Sequence, residues 1–560
     1  MKSLLATLYL LAATFAAAAP TPPAQDMPHL EKKDNRYAFI VDGKPFLMLG
    51  GQIGNSSSWP AALANAWPAL EAMHANTIEA PVYWEWMEPD PGRFDFTNVD
   101  LLVNGAREHH LRLILLWFGT WKNGQNHYVP EWMKSDPVKY PRQITSYGKL
   151  LDVMSPNAPA NLEADKHAFT ALMHHVRAID STRHTVILIQ VENESGGIGS
   201  IRDYSPAAQK LFAADVPASL VTAMHLKAGT WQQVFGADAD ERFAAWSTAS
   251  YIDAVAAAGK AEYALPMYCN VWITYPVHAL ENRNRASADA GQSYPSGGPQ
   301  QQNIDLWKAA APSIDILAPD YYSNDMTLFR QVVADYHRPY NALLIPETGL
   351  SQYDLGRYFF YALGHGAIGF SPFGVDFNRP AAFDEGKSPD TYPPAWLSEN
   401  FALFAPIDRQ VAEWNFEGKL QTAVEDKGAP RQVLHFDGAD AVVSFGFPQG
   451  DGAAPPGTEH QLGRAMVAQI GPLEFAVTGF DASVSFAEPV LADGKQQTQQ
   501  LEILRAEEGQ YNNGTWQTTR IWNGDQTDRG LNFRTGSPQV IRIRLHTLPL
   551  FDPSVTASAP

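Results

Sequence analysis

The apolar positions of this chain cluster into eight short runs, Phe46–Leu49, Thr77–Val82, Leu111–Trp117, Thr185–Val191, Leu265–Asn270, Ile314–Pro319, Ala342–Ile345 and Ala367–Pro372. Strands buried on both faces of a parallel sheet read in this way, as continuous aliphatic stretches rather than as strict alternation. Helically spaced segments fall between the runs, among them Ala61–Ala75, the Ala-rich stretch from Phe243 onwards and Ala395–Trp414. A strand–helix alternation repeated in this order predicts an α/β fold, a (β/α)8 TIM barrel. The texture changes at about Asn415. Gln432–Phe436, Ala441–Phe445 and Val540–Arg544 alternate with period two between Gly-rich turns and predict a smaller all-β, sandwich-like C-terminal domain. The expected division is therefore a catalytic barrel over residues 20–414 and a β-rich domain over 415–560. Residues 1–19 stand apart: Lys2, an apolar stretch from Leu4 to Phe15 and the small residues Ala16–Ala19 read as a secretory signal peptide. The stretch is too short to span a bilayer. It predicts an exported protein, periplasmic or secreted, with no membrane insertion once the signal is removed.

Two of the eight runs end in carboxylates. TVILIQVENE closes on Glu192, Asn193 and Glu194, and ALLIPE closes on Glu347 before Thr348-Gly349. A polar strand exit can simply cap the next helix. Two such ends, far enough apart to be strands four and seven when each βα unit takes about 30 residues or more, fit a different need. Barrel enzymes place their catalytic groups at the carboxyl ends of strands. A retaining glycosidase requires one carboxylate to attack the anomeric carbon and a second to protonate the departing oxygen.

Gln190-Val191-Glu192-Asn193-Glu194-Ser195-Gly196, with Trp84-Glu85-Trp86-Met87-Glu88-Pro89 and Gly43-Lys44-Pro45-Phe46, resembles glycoside hydrolase family 35, the β-galactosidase family of the retaining barrel clan. The similarity runs from about Tyr37 to about Trp414. It implies that Glu194 is the acid/base, that Glu347 is the nucleophile, and that Asn193 binds the sugar's 2-hydroxyl. It further implies sugar contacts from Trp84 and Glu85 on the second strand's exit, and a sixth-strand tyrosine bonded to the nucleophile, Tyr322 first and Tyr321 second. Trp272, just beyond the fifth strand, is another pocket candidate. On the third strand's exit Trp121, Lys122 and Asn123 stand where mammalian-type members carry Cys-Ala-Glu, a departure that bears on galactose recognition. Pro346-Glu347-Thr348-Gly349 likewise differs from the Ser-Glu-aromatic pattern of many members and points to a distinct bacterial-type branch. The mechanism so implied is double displacement, with carboxyl groups about 5–5.5 Å apart and retention of configuration. Glu194 is expected to hold its proton while Glu347 is ionised.

Composition narrows the partners. With 45% hydrophobic and 18% charged residues the 560-residue chain is that of an ordered globular protein. A net charge of −19 argues against nucleic acid or an anionic membrane as partner. Fifteen Trp and 21 Tyr suit a ligand with apolar C–H faces, such as an oligosaccharide or polysaccharide-derived substrate, and equally suit a core. Trp516 and Trp522 are read as core or interface packing residues, with stacking on sugar as the alternative. One cysteine, Cys269, leaves no intramolecular disulfide and no Cys-based zinc site, and it reads as a buried strand residue. His109-His110 and His174-His175 lack the spacing of a metal motif, and no glycine-rich nucleotide sequence follows a strand, so neither metal nor cofactor is expected. Three functions remain: an exo-acting β-galactosidase on terminal galactose of plant glycan side chains, xyloglucan-type ones included; a retaining barrel glycosidase on another sugar, an arabinosidase or glucosidase; and a non-catalytic carbohydrate-binding barrel.

Overall fold

A computed structural model describes residues 27–274, 289–349, 355–377, 395–445, 461–489, 499–512, 514–534 and 536–550. The signal-peptide reading of residues 1–19 lies outside them. Eight parallel strands form a closed barrel: β1 (Met48–Gln52), β2 (Thr77–Tyr83), β3 (Arg112–Lys122), β4 (Val186–Asn193), β5 (Met267–Trp272), β6 (Ile316–Tyr321), β7 (Leu344–Thr348) and β8 (Gly369–Pro372). Closure comes from β8 against β1, where Gly369 pairs with Met48 and Phe370 with Leu49. All eight predicted runs are strands, most of them displaced by about two residues toward the barrel mouth.

The strand interiors carry Ile114, Leu116, Leu188, Tyr268, Ile316, Ala318 and Leu344 into one buried cluster. Their other face packs under the helices, with Leu113, Leu115, Ile189, Val191 and Leu317 in the larger core. Below the barrel, Arg36–Val41 pairs with His29–Lys33 and with Lys44–Pro45, and brings Phe39 and Val41 against the inner cluster. Asp42 and Gly43, both at positive φ (56° and 71°), make the tight turn that this closure requires.

Two predicted helices are broken, and proline explains both. Ala61–Ala75 is Pro60–Leu63 followed by Ala66–Ala72, because Pro68 has no N–H to give to residue 64. Ala395–Trp414 is Ala395–Phe404 and Asp408–Phe416 around the 3-10 turn Ala405–Ile407, which contains Pro406.

The C-terminal region is all-β. A six-stranded antiparallel sheet and a four-stranded one face each other across Val467, Val477, Ile541 and Ile543 on one side and Val443, Val484, Leu531 and Phe533 on the other. Trp522 lies in this core, whereas Trp516 and Tyr511 meet each other and pack against the barrel's core. Period-two alternation then gives the six-stranded sheet a second apolar face. Met466, Ala468, Ala476, Phe480 and Val540 join the barrel's own core, where Phe480 meets Phe360 of the helix Leu355–Gly364. Thr422 Oγ1 donates to the Phe360 carbonyl at 2.8 Å, and buried Arg464 donates to Asn400 at 2.8 Å. Truncation after Asn415 strips an apolar face from that helix, so the truncated barrel is expected to be insoluble or markedly less heat-stable. A soluble truncated barrel with the full chain's melting temperature and activity would refute this.

Candidate functional site

The site is built where β4 leaves the barrel. Glu192 and Glu194 adopt left-handed backbone (φ 65° and 47°), a conformation that costs roughly 1–3 kcal/mol at a non-glycine residue and persists only where its surroundings hold it. The consequence is a broken alternation. Glu192 turns back to accept the Trp121 backbone N–H at 2.7 Å beside Asp165, whereas Asn193 and Glu194 reach the pocket. There Asn193 Oδ1 accepts from the Lys122 ammonium at 2.8 Å, which directs the Asn193 Nδ2 donor elsewhere; among the described residues it has no partner. Lys122 is itself buried, with its ammonium over the Phe118 ring.

Glu347 ends β7. One of its oxygens accepts from Gln52 Nε2 at 3.0 Å, and the other accepts from the Tyr322 hydroxyl, a pair of donors that suits a carboxylate and fixes its orientation. Burial and the neighbouring Glu347 charge push the Glu194 carboxyl up to about 8, against the pull of Lys122 and of hydrogen bonds from Asp320 and the Trp272 indole. Carboxyl oxygens of Glu194, Asp320 and Glu347 all lie within 4.8 Å of one another. Such a trio could hold a cation. The donors that already face it, Gln52, Tyr322, Trp272 and Lys122, instead fit carboxylates held by N–H and O–H groups.

Of the residues singled out in the sequence, Glu194, Glu347, Asn193, Lys122, Tyr322 and Trp272 come together here. Asn123, at positive φ (54°), is half-buried beside them with its Oδ1 unpartnered among the described residues. Four others go elsewhere. Trp84 turns outward against Trp117 and Trp132 and donates to Glu88 at 2.7 Å. Trp121 sits edge-on to Tyr251 in the helix layer. Tyr321 packs on Phe329 and Tyr358, because consecutive strand residues point to opposite faces and Tyr322 takes the inner one. Glu85 pairs with Lys134 at 3.6 Å on the surface. The Ser/Gly/Asn/Gln-rich stretch from Arg283 is only partly described. Its part from 296 to 300 is buried, with Ser296 exchanging two backbone hydrogen bonds with Gly197 at 2.9 Å.

Several site residues escape a reading of strand ends alone. Gln52, Asn270 and Asp320 belong to the pocket, and Glu79 sits deeper in the barrel. Glu79 accepts from Tyr268 at 3.2 Å and from Ser371 at 2.5 Å, and burial pushes its carboxyl up to about 8. An aromatic wall also runs from the rim to the pocket: Trp59 stacks on Trp86 at 3.8 Å, and Tyr83, Tyr128 and Phe118 continue it to Lys122. Asp320 was detectable, because it lies two residues before Tyr322 and so shares its face of the strand. Cys269 is buried, donates its thiol to the Val191 carbonyl, and is held far above the usual thiol range by burial. His109 pairs with Glu71, His174 with Glu262 and His175 with Asp100, at the surface.

Residues 397–534 match a family described as a domain of unknown function, DUF5597, a span that takes in the two helices before the β domain as well as most of its strands. A beta-galactosidase of Xanthomonas manihotis is 28% identical over 209 residues, 36% of this chain and 32% of that protein. The chain thus spans about a third of the length of this curated relative. Among solved structures, a beta-galactosidase from Bacillus circulans sp. alkalophilus aligns with a TM-score of 0.47 at 13% identity, over 65% of this chain and 57% of that one. A beta-galactosidase from Rahnella sp. R3 aligns at 0.45 and 17% identity, over 69% and 59%.

Proposed function

We propose that this protein is a retaining exo-acting β-galactosidase that removes terminal β-galactose from neutral oligosaccharides or plant glycan side chains, xyloglucan-type ones included. The observation that carries the reading is the pair Glu194 and Glu347. They face each other from the ends of β4 and β7 with carboxyl oxygens within 4.8 Å, a spacing that leaves no room for a water to be activated between them. Glu347, steadied by Gln52 and Tyr322, attacks the anomeric carbon, and Glu194 gives its proton to the leaving oxygen. The glycosyl ester consumes the charge on Glu347 that had helped raise Glu194. Glu194 then ionises more readily and accepts the proton of the attacking water. Two inversions retain the configuration. The aromatic wall offers the apolar surface that C–H faces of an aglycone would cover, and the relative named a beta-galactosidase supports the sugar. We further propose export, on the leader-like residues 1–19.

Lys122, where mammalian-type members carry a residue of the Cys-Ala-Glu triplet, favours a second reading, a retaining glycosidase on another sugar such as an arabinoside or glucoside. A panel of nitrophenyl glycosides separates the two, and proton NMR of the first-formed sugar tests the mechanism. Preference for β-galactoside with β-galactose appearing first is expected. No turnover of any glycoside overturns the enzyme reading, and initial α-galactose overturns the role of Glu347.

A further inference from the structure

The two-carboxylate mechanism makes no use of a third acid in the pocket. Asp320, 2% exposed, stands on β6 with Trp272 beside it on β5 and Glu347 beside it on β7. One of its oxygens accepts from Asn270 Nδ2 at 2.8 Å, and the same Asn270 accepts the backbone N–H of Glu194 at 2.9 Å. Its other oxygen, Oδ1, is buried and meets no N–H or O–H donor among the described residues. A buried acceptor is rarely left unsatisfied. The neighbour able to satisfy it is the Glu194 carboxyl, which lies in hydrogen-bonding reach. Two carboxylates cannot bond without a proton between them.

We propose that Asp320 is a positioning residue that holds the Glu194 carboxyl through a single shared proton and so orients it toward the glycosidic oxygen. The proposal rests on the glycosidase reading of the same site. The charges facing the pair agree with it: Glu347 repels both acids, Lys122 attracts them, Tyr322 donates to Glu347, and Tyr268 and Tyr336 are neutral phenols nearby. Burial and mutual repulsion push both carboxyls up, which favours one retained proton. The balance closes through the cycle. When the shared proton passes to the leaving oxygen, the C–O bond electrons go with it and the Glu347 charge disappears into the ester. The pair then carries two charges where it carried one, so the net charge of the pocket is unchanged. The attacking water returns the proton.

The test is Asp320→Asn, which keeps the shape but removes the charge and offers a fixed N–H to Glu194. Both changes ease ionisation of Glu194, so the alkaline limb of kcat/KM should move down by about one pH unit or more. Activity on an oligosaccharide, whose leaving group needs the proton, should fall at least tenfold more than on a dinitrophenyl glycoside, whose leaving group does not. A merely structural role would lower both substrates alike and leave the limb in place; that result overturns the proposal. A readout without turnover is the carboxyl carbon of Glu194 in glutamate-labelled protein, assigned by its loss in Glu194→Gln. It should titrate at lower pH in Asp320→Asn, and an unmoved midpoint overturns the proposal even if the variant is inactive. Failure of the glycosidase reading shows separately, as wild-type protein that turns over no glycoside.

Discussion

Replacing Glu347 by Gln should abolish turnover while leaving the fold intact. Removal of a positioned acid or base costs about 10²–10⁴ in rate, roughly 3–5 kcal/mol of barrier, and loss of the group that forms the covalent bond should cost at least as much. The amide is isosteric, so the melting temperature should stay near that of the wild type. The smaller Glu347→Ala variant adds a stereochemical readout. Azide can enter the space that Glu347 vacates and attack from the same face, and the expected product is the α-glycosyl azide. Near-wild-type kcat in well-folded Glu347→Gln, or no azide adduct together with retained hydrolysis, would place the nucleophile elsewhere.

The second large effect belongs to Glu194. Glu194→Gln should lose about 10²–10⁴ on substrates with poor leaving groups and far less on dinitrophenyl glycosides, because only the former need the proton. Its pH profile should change in sign-specific fashion. In the wild type the acid form disappears as pH rises through about 8, so kcat/KM should fall on that side. In the variant no acid remains to titrate there, and the alkaline limb should vanish. For Glu194→Ala, azide attacks the glycosyl-enzyme and the product keeps the β configuration, opposite to that from Glu347→Ala. An alkaline limb that persists in the variant would assign it to another group.

Strands buried on both faces write themselves as apolar runs, and for that reason β2, β4 and β7 could be read directly, with Glu194 and Glu347 at their ends. Direction was harder. Trp84, Trp121 and Tyr321 occupy strand exits, where aromatics serve the helix layer as readily as the pocket, and only parity distinguishes Tyr321 from Tyr322. Parity itself fails on β4, since left-handed backbone at Glu192 and Glu194 overrides the alternation and nothing in the composition of VENES announces it. Asn270 closes its apolar run and Gln52 lies three residues past the run Phe46–Leu49, yet nothing local marks either as a pocket residue. Their roles come from partners on strands distant in sequence, Glu347 for Gln52 and Asp320 for Asn270.

Glu79, the acid enclosed by Ser371 and Tyr268, makes the barrel a reporter of alkalinity. Its carboxyl is neutral in the native state until pH approaches about 8, whereas in the unfolded chain it ionises near the ordinary carboxyl value of 4.5. The native state therefore binds the extra proton between those two values, and unfolding releases it. That contribution to stability is fully present below about pH 4.5 and drains away as the medium rises toward about 8. Melting temperature should decline across this window in the wild type and decline less in Glu79→Gln, and an identical slope in the two would show that the enclosed acid is already ionised. A pocket that keeps its protons at neutral pH thus gains an acid for catalysis at the expense of tolerance to base, and one range of pH limits both.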